Sequence, residues 1–126
     1  MSSHPFAEGN VQRYIDEIRS VTGVAAFALV SCEGTIIGKH FPDGSITSSI
    51  FAAMSATVLA SAEAVCATVA IDRPSLITIS SNGAAILIVS IGEVALIAAV
   101  IDKPGDLQGL ERQLLDIAAR IREEVA

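Results

Sequence analysis

The chain has 126 residues, 52% of them hydrophobic and 17% charged, with a net charge of −6. Those proportions exclude a disordered chain, which needs the opposite balance, and give one domain over residues 1–126 enough material for a real core. The eight basic residues are scattered, with only Arg120 and Arg122 close together, and this argues against nucleic acid as a partner.

The first predicted element is a helix before the first strand. Val11, Tyr14, Ile15, Ile18 and Val21 recur at helical spacing with Arg13, Asp16, Glu17 and Arg19 between them, and Gly23 ends the pattern. Upstream, Met1-Ser2-Ser3-His4-Pro5 lacks the basic start of a secretory signal. Val24 to Val30 and Thr35 to Lys39 are apolar runs too short for helices, and Ser31-Cys32-Glu33-Gly34 supplies a turn between them, so the pair reads as a β-hairpin.

Pro42-Asp43-Gly44-Ser45 breaks the second strand and offers Asp43 or Ser45 as a helix cap. From Ser45 to Ile71 the sequence predicts one long helix with a single charged residue, Glu63. A surface helix normally keeps a charged face toward water. On a helical wheel Ile46, Ile50, Met54, Val58, Val65 and Val69 share one broad face. Ser49, Ala52, Ala53, Ala56, Ala60, Glu63 and Ala67 share the other. The expectation is that the large residues pack on a sheet while the small ones admit a helix from a second subunit. The small face is therefore the expected dimer interface.

Asp72-Arg73-Pro74 stops that helix, because a residue before proline is pushed out of the α region. Leu76 to Ser80 alternates like a strand. If it lies at a sheet edge, its unpaired amides can template the same strand of another subunit, so Leu76, Thr78 and Ser80 complete the expected interface. Asn82-Gly83 is a strong hairpin signal, and Ala84 to Ser90 and Val94 to Ile101 follow as strands joined through Gly92-Glu93. Ala84 to Ile101 is apolar enough to raise a membrane span, but Ser90, Gly92 and Glu93 near its middle favour two buried strands. After the linker Asp102 to Asp106, Leu107, Leu110, Leu114, Ile117, Ile121 and Val125 mark a final amphipathic helix. The order α-β-β-α-β-β-β-α implies an antiparallel sheet with helices on both faces.

Candidates for chemistry are few. His4 and His40 belong to no catalytic pair, Glu93 reads as a solvated turn residue, and Asp43 and Asp106 read as helix caps. Glu63 is either a solvated rim residue or an interfacial contact. Neither G-x-x-x-x-G-K-S/T nor G-x-G-x-x-G after a strand, the two phosphate-binding glycine patterns, occurs. Cys32 and Cys66 have no metal-ligand spacing and read as reduced, buried thiols of a cytoplasmic protein. The expectation is no catalytic residue, no cofactor and no metal.

Several segments resemble the Roadblock/LC7 family, the group of dynein light chains and bacterial MglB-type proteins. They are Gly23-Val24-Ala25-Ala26, Ser31-Cys32-Glu33-Gly34-Thr35-Ile36-Ile37, Phe51-Ala52-Ala53-Met54-Ser55-Ala56, Leu59-Ala60-Ser61-Ala62-Glu63, Asn82-Gly83 and the strand and linker from Leu96 to Lys103. Glu33-Gly34 departs mildly from the Asp-Gly of many members. The resemblance implies an α+β fold of profilin-like layout, a five-stranded antiparallel sheet with the long helix on one face and the terminal helices on the other. It also implies a homodimer, or a dimer with a paralogous Roadblock chain, in which central helices pair and the following strand extends the sheet. The expected function is a non-catalytic adaptor or regulator of a Ras-like small GTPase, without membrane insertion. A small-molecule sensor or a pure scaffold subunit is the alternative, and the low aromatic content counts against the sensor.

Overall fold

The computed structural model describes residues 6–44 and 47–125; His4, Ser45 and Ile46, named above, lie outside them. The elements are α1 (Glu8–Arg19), β1 (Val24–Ser31), β2 (Ile36–His40), α2 (Ser48–Thr68), β3 (Leu76–Ser81), β4 (Ala84–Ile91), β5 (Ala95–Asp102) and α3 (Leu107–Val125). The five strands form one sheet in the order β2-β1-β5-β4-β3, with every pair antiparallel.

The strand alternation feeds two cores. Phe27, Leu29, Leu87, Val89, Ile97 and Ile101 point to one face, where they meet Tyr14, Ile15 and Ile18 of α1 and Leu110, Leu114, Ile117 and Ile121 of α3. Ala28, Val30, Ile88, Leu96 and Ala98 point to the other face, where they meet α2. Each fully buried Leu or Ile contributes roughly 1.5–3 kcal/mol, so most of the burial energy lies on the α1/α3 side. Gly38 of β2 sits so close beneath α1 that a Cβ there would come 2.7 Å from Ile15 Cδ1. The tight fit seats α1 on β2.

Local signals place most element ends. Asp106 caps α3 by accepting a hydrogen bond from the Gly109 N–H at 3.0 Å. The cap of α2 differs from expectation: its N-cap is Thr47, which makes no side-chain cap bond, and not Asp43. The helix also ends at Thr68, before Ile71. Ile71 N–H reaches Cys66 C=O at 3.0 Å and Ala70 N–H reaches Ala67 C=O at 3.3 Å, the paired bonds of a Schellman ending. Ala70 takes the left-handed position that this ending requires, at φ 59°. The helix thus stops by its own hydrogen bonding, upstream of the proline.

The cysteines also differ from expectation. Cys32 is exposed in the β1–β2 turn and Cys66 is half-buried near the end of α2, both as free thiols. A turn position supplies no core for a thiol to enter. His40 is half-buried, its ring 5.8 Å from that of Phe27.

Candidate interaction face

α2 lies on β1, β2, β4 and β5, and it does so through small side chains. Ala52 is 0% exposed and Ala56 8%, with Ser55 and Leu59 beside them. The expected orientation of the helix is therefore reversed: the small face meets the sheet and the large residues face outward. Ile50, Met54, Val65, Val69 and Ile71 are each 60–65% exposed, with Val58 less so. The reason is spacing. The sheet face beneath α2 already carries Val30, Ile88 and Leu96, and alanines let the helix axis approach it closely. The β1–β2 turn adds to this closeness, since a Cβ on Gly34, at φ 92°, would lie 3.5 Å from Ala53 Cα.

The expected interface residues consequently separate into two groups. Ala52 and Ala56 are buried within the chain and offer nothing to a partner, a correction forced by their contact with the sheet. Ser49, Ala53, Ala60 and Ala67 are exposed, and Glu63 is half-buried. The residues that sequence reasoning missed are the large ones, Ile50, Met54, Val58, Val65, Val69 and Ile71. The available signal was the absence of charge around the helix, which requires cover on both sides but does not say which side is inside.

β3 lies at one end of the sheet order. Its ladder with β4 runs residue by residue from Leu76↔Val89 to Ser81↔Ala84. The Ser90 N–H donates to Ser75 C=O at 3.0 Å, so the pair 75/90 is hydrogen-bonded. In an antiparallel ladder such pairs alternate, which turns the N–H and C=O groups of Leu76, Thr78 and Ser80 away from β4. All three therefore present backbone groups to the open edge. Their side chains are half-buried or exposed, and the Thr78 hydroxyl donates to Glu111 Oε2 at 2.6 Å. On the opposite face of β3, Ile79 is 39% exposed beside the half-buried Ile77. Ile77 and Ile79 thus lie on the same face of the sheet as α2, at the β3 edge.

Among the described residues, charge gathers at the rim. Arg73 Nη1 lies 3.5 Å from Glu63 and 3.4 Å from Glu93, joining the α2–β3 linker to α2 and to the β4–β5 turn. Exposed pairs of this kind each contribute about 1 kcal/mol or less, but together they fix where the linker lies. Glu63 is therefore a rim residue with an ionic partner. Beyond Arg73 a cleft of about 580 Å³ opens between the linker and α3, lined by Asp72, Pro74, Ser90, Leu115 and Arg122 among others. Among the described residues no group of three His, Cys, Asp or Glu side chains is placed to hold a metal. By length and composition α2 could cross a membrane, but Ala52, Ser55, Ala56 and Leu59 are packed on the sheet.

The comparisons with known proteins agree with this architecture. The structure of Myxococcus xanthus MglB superposes with a TM-score of 0.85 at 10% identity, covering 94% of this chain and 97% of that one. The gliding protein MglB of Thermus thermophilus gives 0.76 at 18% identity, covering 98% and 95%. Profilin II of Acanthamoeba castellanii gives 0.63 at 15% identity, covering 88% and 95%, so the layout is profilin-like. A search of curated proteins by sequence finds no match. The family model of the Roadblock/LC7 domain matches residues 11–102, from the middle of α1 to the end of β5, and the chain belongs to the Roadblock/LC7 domain family.

Proposed function

We propose that this protein is a non-catalytic, dimeric adaptor or regulator of a Ras-like small GTPase, working in the cytoplasm. The observation that carries the reading is the exposed apolar side of α2 on the same face of the sheet as Ile77 and Ile79 of an uncharged edge strand, β3. Water contact with that much aliphatic surface is unfavourable. A second copy, or a paralogous Roadblock chain, has the matching surface to cover it: helix against helix and strand beside strand. The interface then consists of Met54, Val58, Val65, Val69 and the backbone of Leu76, Thr78 and Ser80. Ser49, Ala53, Ala60, Glu63 and Ala67 lie around it.

The GTPase part of the reading rests on family membership, since Roadblock/LC7 proteins commonly serve as platforms for Ras-like GTPases. This chain has no phosphate-binding loop of its own. Any stimulation of hydrolysis would act by favouring one conformation of the partner's switch segments, through differential binding to its two nucleotide states. The cleft beside Arg73 is the observation that favours the small-molecule alternative. Its guanidiniums are offset by Asp72, Glu63 and Glu93, so little net charge remains to select a ligand.

Calorimetry tests the reading. The purified protein is titrated with Ras-like GTPases of the same genome, each loaded with GDP or a GTP analogue. Tighter binding to one nucleotide form, with no nucleotide hydrolysis by this protein alone, is expected. A verified dimer that binds neither form would favour the scaffold reading.

A further inference from the structure

The sheet has two edges, and they are built differently. β3 is uncharged and its ladder to β4 is regular. β2, at the other end, has five residues and an interrupted ladder: Leu29 pairs with Gly38 and Val30 with Ile36, leaving Ile37 as an extra residue. Such a bulge twists the strand and breaks the even row of amides that an incoming strand needs. Lys39 is exposed on the same strand, and its Nζ reaches Ser48 Oγ at 3.0 Å at the start of α2.

α1 closes the edge from the other face. It packs on β2 and β1, with α3 farther along the sheet on β4. Arg13 and Glu17 pair with Glu124 and Arg120 of α3, so that flank of α1 faces α3. At about 100° per residue, Glu8, Gln12, Asp16 and Arg19 occupy the opposite flank, all exposed. Because α1 packs on β2 with α3 on its other side, that flank is turned toward the open side of β2, and within it Gln12 Nε2 donates to Asp16 Oδ1 at 3.0 Å. A strand added beside β2 would meet a bulge, an ammonium group and a row of polar and charged side chains on the near flank of α1.

We propose that the β2 edge is closed to strand addition, so that assembly through β3 ends at two chains instead of growing into a longer sheet. The limit on growth rests on the dimer reading above, whereas the closure of β2 stands on its own geometry. Two variants open the edge by different routes: the triple substitution Gln12→Ala, Asp16→Ala and Lys39→Thr, and the deletion of Ile37. Deleting Ile37 makes the β1–β2 ladder continuous without turning either half over, since Gly38 and Ile36 keep their partners.

Sedimentation velocity and light scattering over a concentration series read the mass, circular dichroism the fold, and hydrogen exchange the position of any new contact. The wild-type protein is expected to hold one mass at all concentrations. At least one folded variant should form species at twice that mass or more, rising with concentration, with exchange slowed at residues 36–40. Folded variants that keep the wild-type mass at the highest concentration, or that associate without new protection at residues 36–40, overturn the proposal. A monomeric wild-type protein defeats the dimer reading alone, because doubling of a variant from that monomer would still show that β2 had been closed.

Discussion

The amide of Ile71 donates to the carbonyl of Cys66 across 3.0 Å, and this bond holds Ala70 in a left-handed conformation that alanine disfavours. An L-residue there carries a strain of roughly 1 kcal/mol, partly offset in any glycine variant by the extra freedom of the unfolded chain. Ala70→Gly is expected to stabilise the protein by about 0.5–1 kcal/mol, seen as a higher urea midpoint with an unchanged slope. Ala70→Val should move the midpoint the other way. A glycine variant less stable than wild type would mean that Ala70 makes contacts that outweigh its backbone strain.

The reversed orientation of α2 gives opposite outcomes for glutamate substitutions on its two sides. Met54→Glu and Val65→Glu fall on the outer side and should leave the helical signal intact. They should weaken the dimer at least tenfold, because an unpaired carboxylate buried in the seam costs several kcal/mol. Ala52→Glu puts the same charge between helix and sheet and should lower the melting temperature sharply, and Ala56→Glu should do likewise. Light scattering and thermal melts on the four variants decide the matter. A folded, monomeric Ala52→Glu protein would contradict this assignment of faces.

Proline scanning reads the β3 edge. Thr78 turns its amide outward and Ile79 turns its amide toward β4. Proline removes a donor and fixes φ, so Thr78→Pro should weaken dimerisation while the monomer keeps its fold. Ile79→Pro should destabilise the monomer itself. Thr78→Ala controls for the lost hydroxyl bond to Glu111. Equal dimer affinities for the proline and alanine variants at Thr78 would argue against strand pairing.

Acid should loosen the contact between α1 and α3. A hydrogen bond from Arg13 is the main force holding the Glu124 carboxyl below its ordinary value of 4.5; desolvation opposes it, and the Tyr14 hydroxyl adds a smaller lowering. A depressed native value means stability that is complete above about pH 4.5 and lost as pH falls through the lowered value. Burial, then the bond to Glu124, raises the Tyr14 phenol above 10.0, so its contribution is lost in alkali above that range. Urea midpoints measured against pH should show a shallower acid decline for Glu124→Gln than for wild type. Superimposable acid limbs would remove Glu124 from the account.

The order of elements was legible because most boundaries carry local chemistry. Asn82-Gly83 sets a two-residue hairpin, Asp106 caps α3, and the alternation of Leu76 to Ser80 predicts a strand. The orientation of α2 was not legible, for a reason of distance. Periodicity separates Ala52 and Ala56 from Met54 and Val65, but the side that faces inward depends on the bulk already standing on the sheet. That bulk comes from Val30, Ile88 and Leu96, which are remote in sequence. The rim cluster was hidden for the same reason, since Glu63, Arg73 and Glu93 meet only after three separate elements have folded.

Arg13, midway along α1, touches Glu124, near the end of α3, and both helices lie on the side of the sheet opposite α2. The start of α1 and the end of α3 therefore both lie on the sheet face away from the exposed side of α2. A fluorescent protein or an affinity handle can be joined at either position without shadowing α2. In a two-chain assembly formed through α2 and β3, all four attachment points would lie on one side, leaving the other side bare for a visitor.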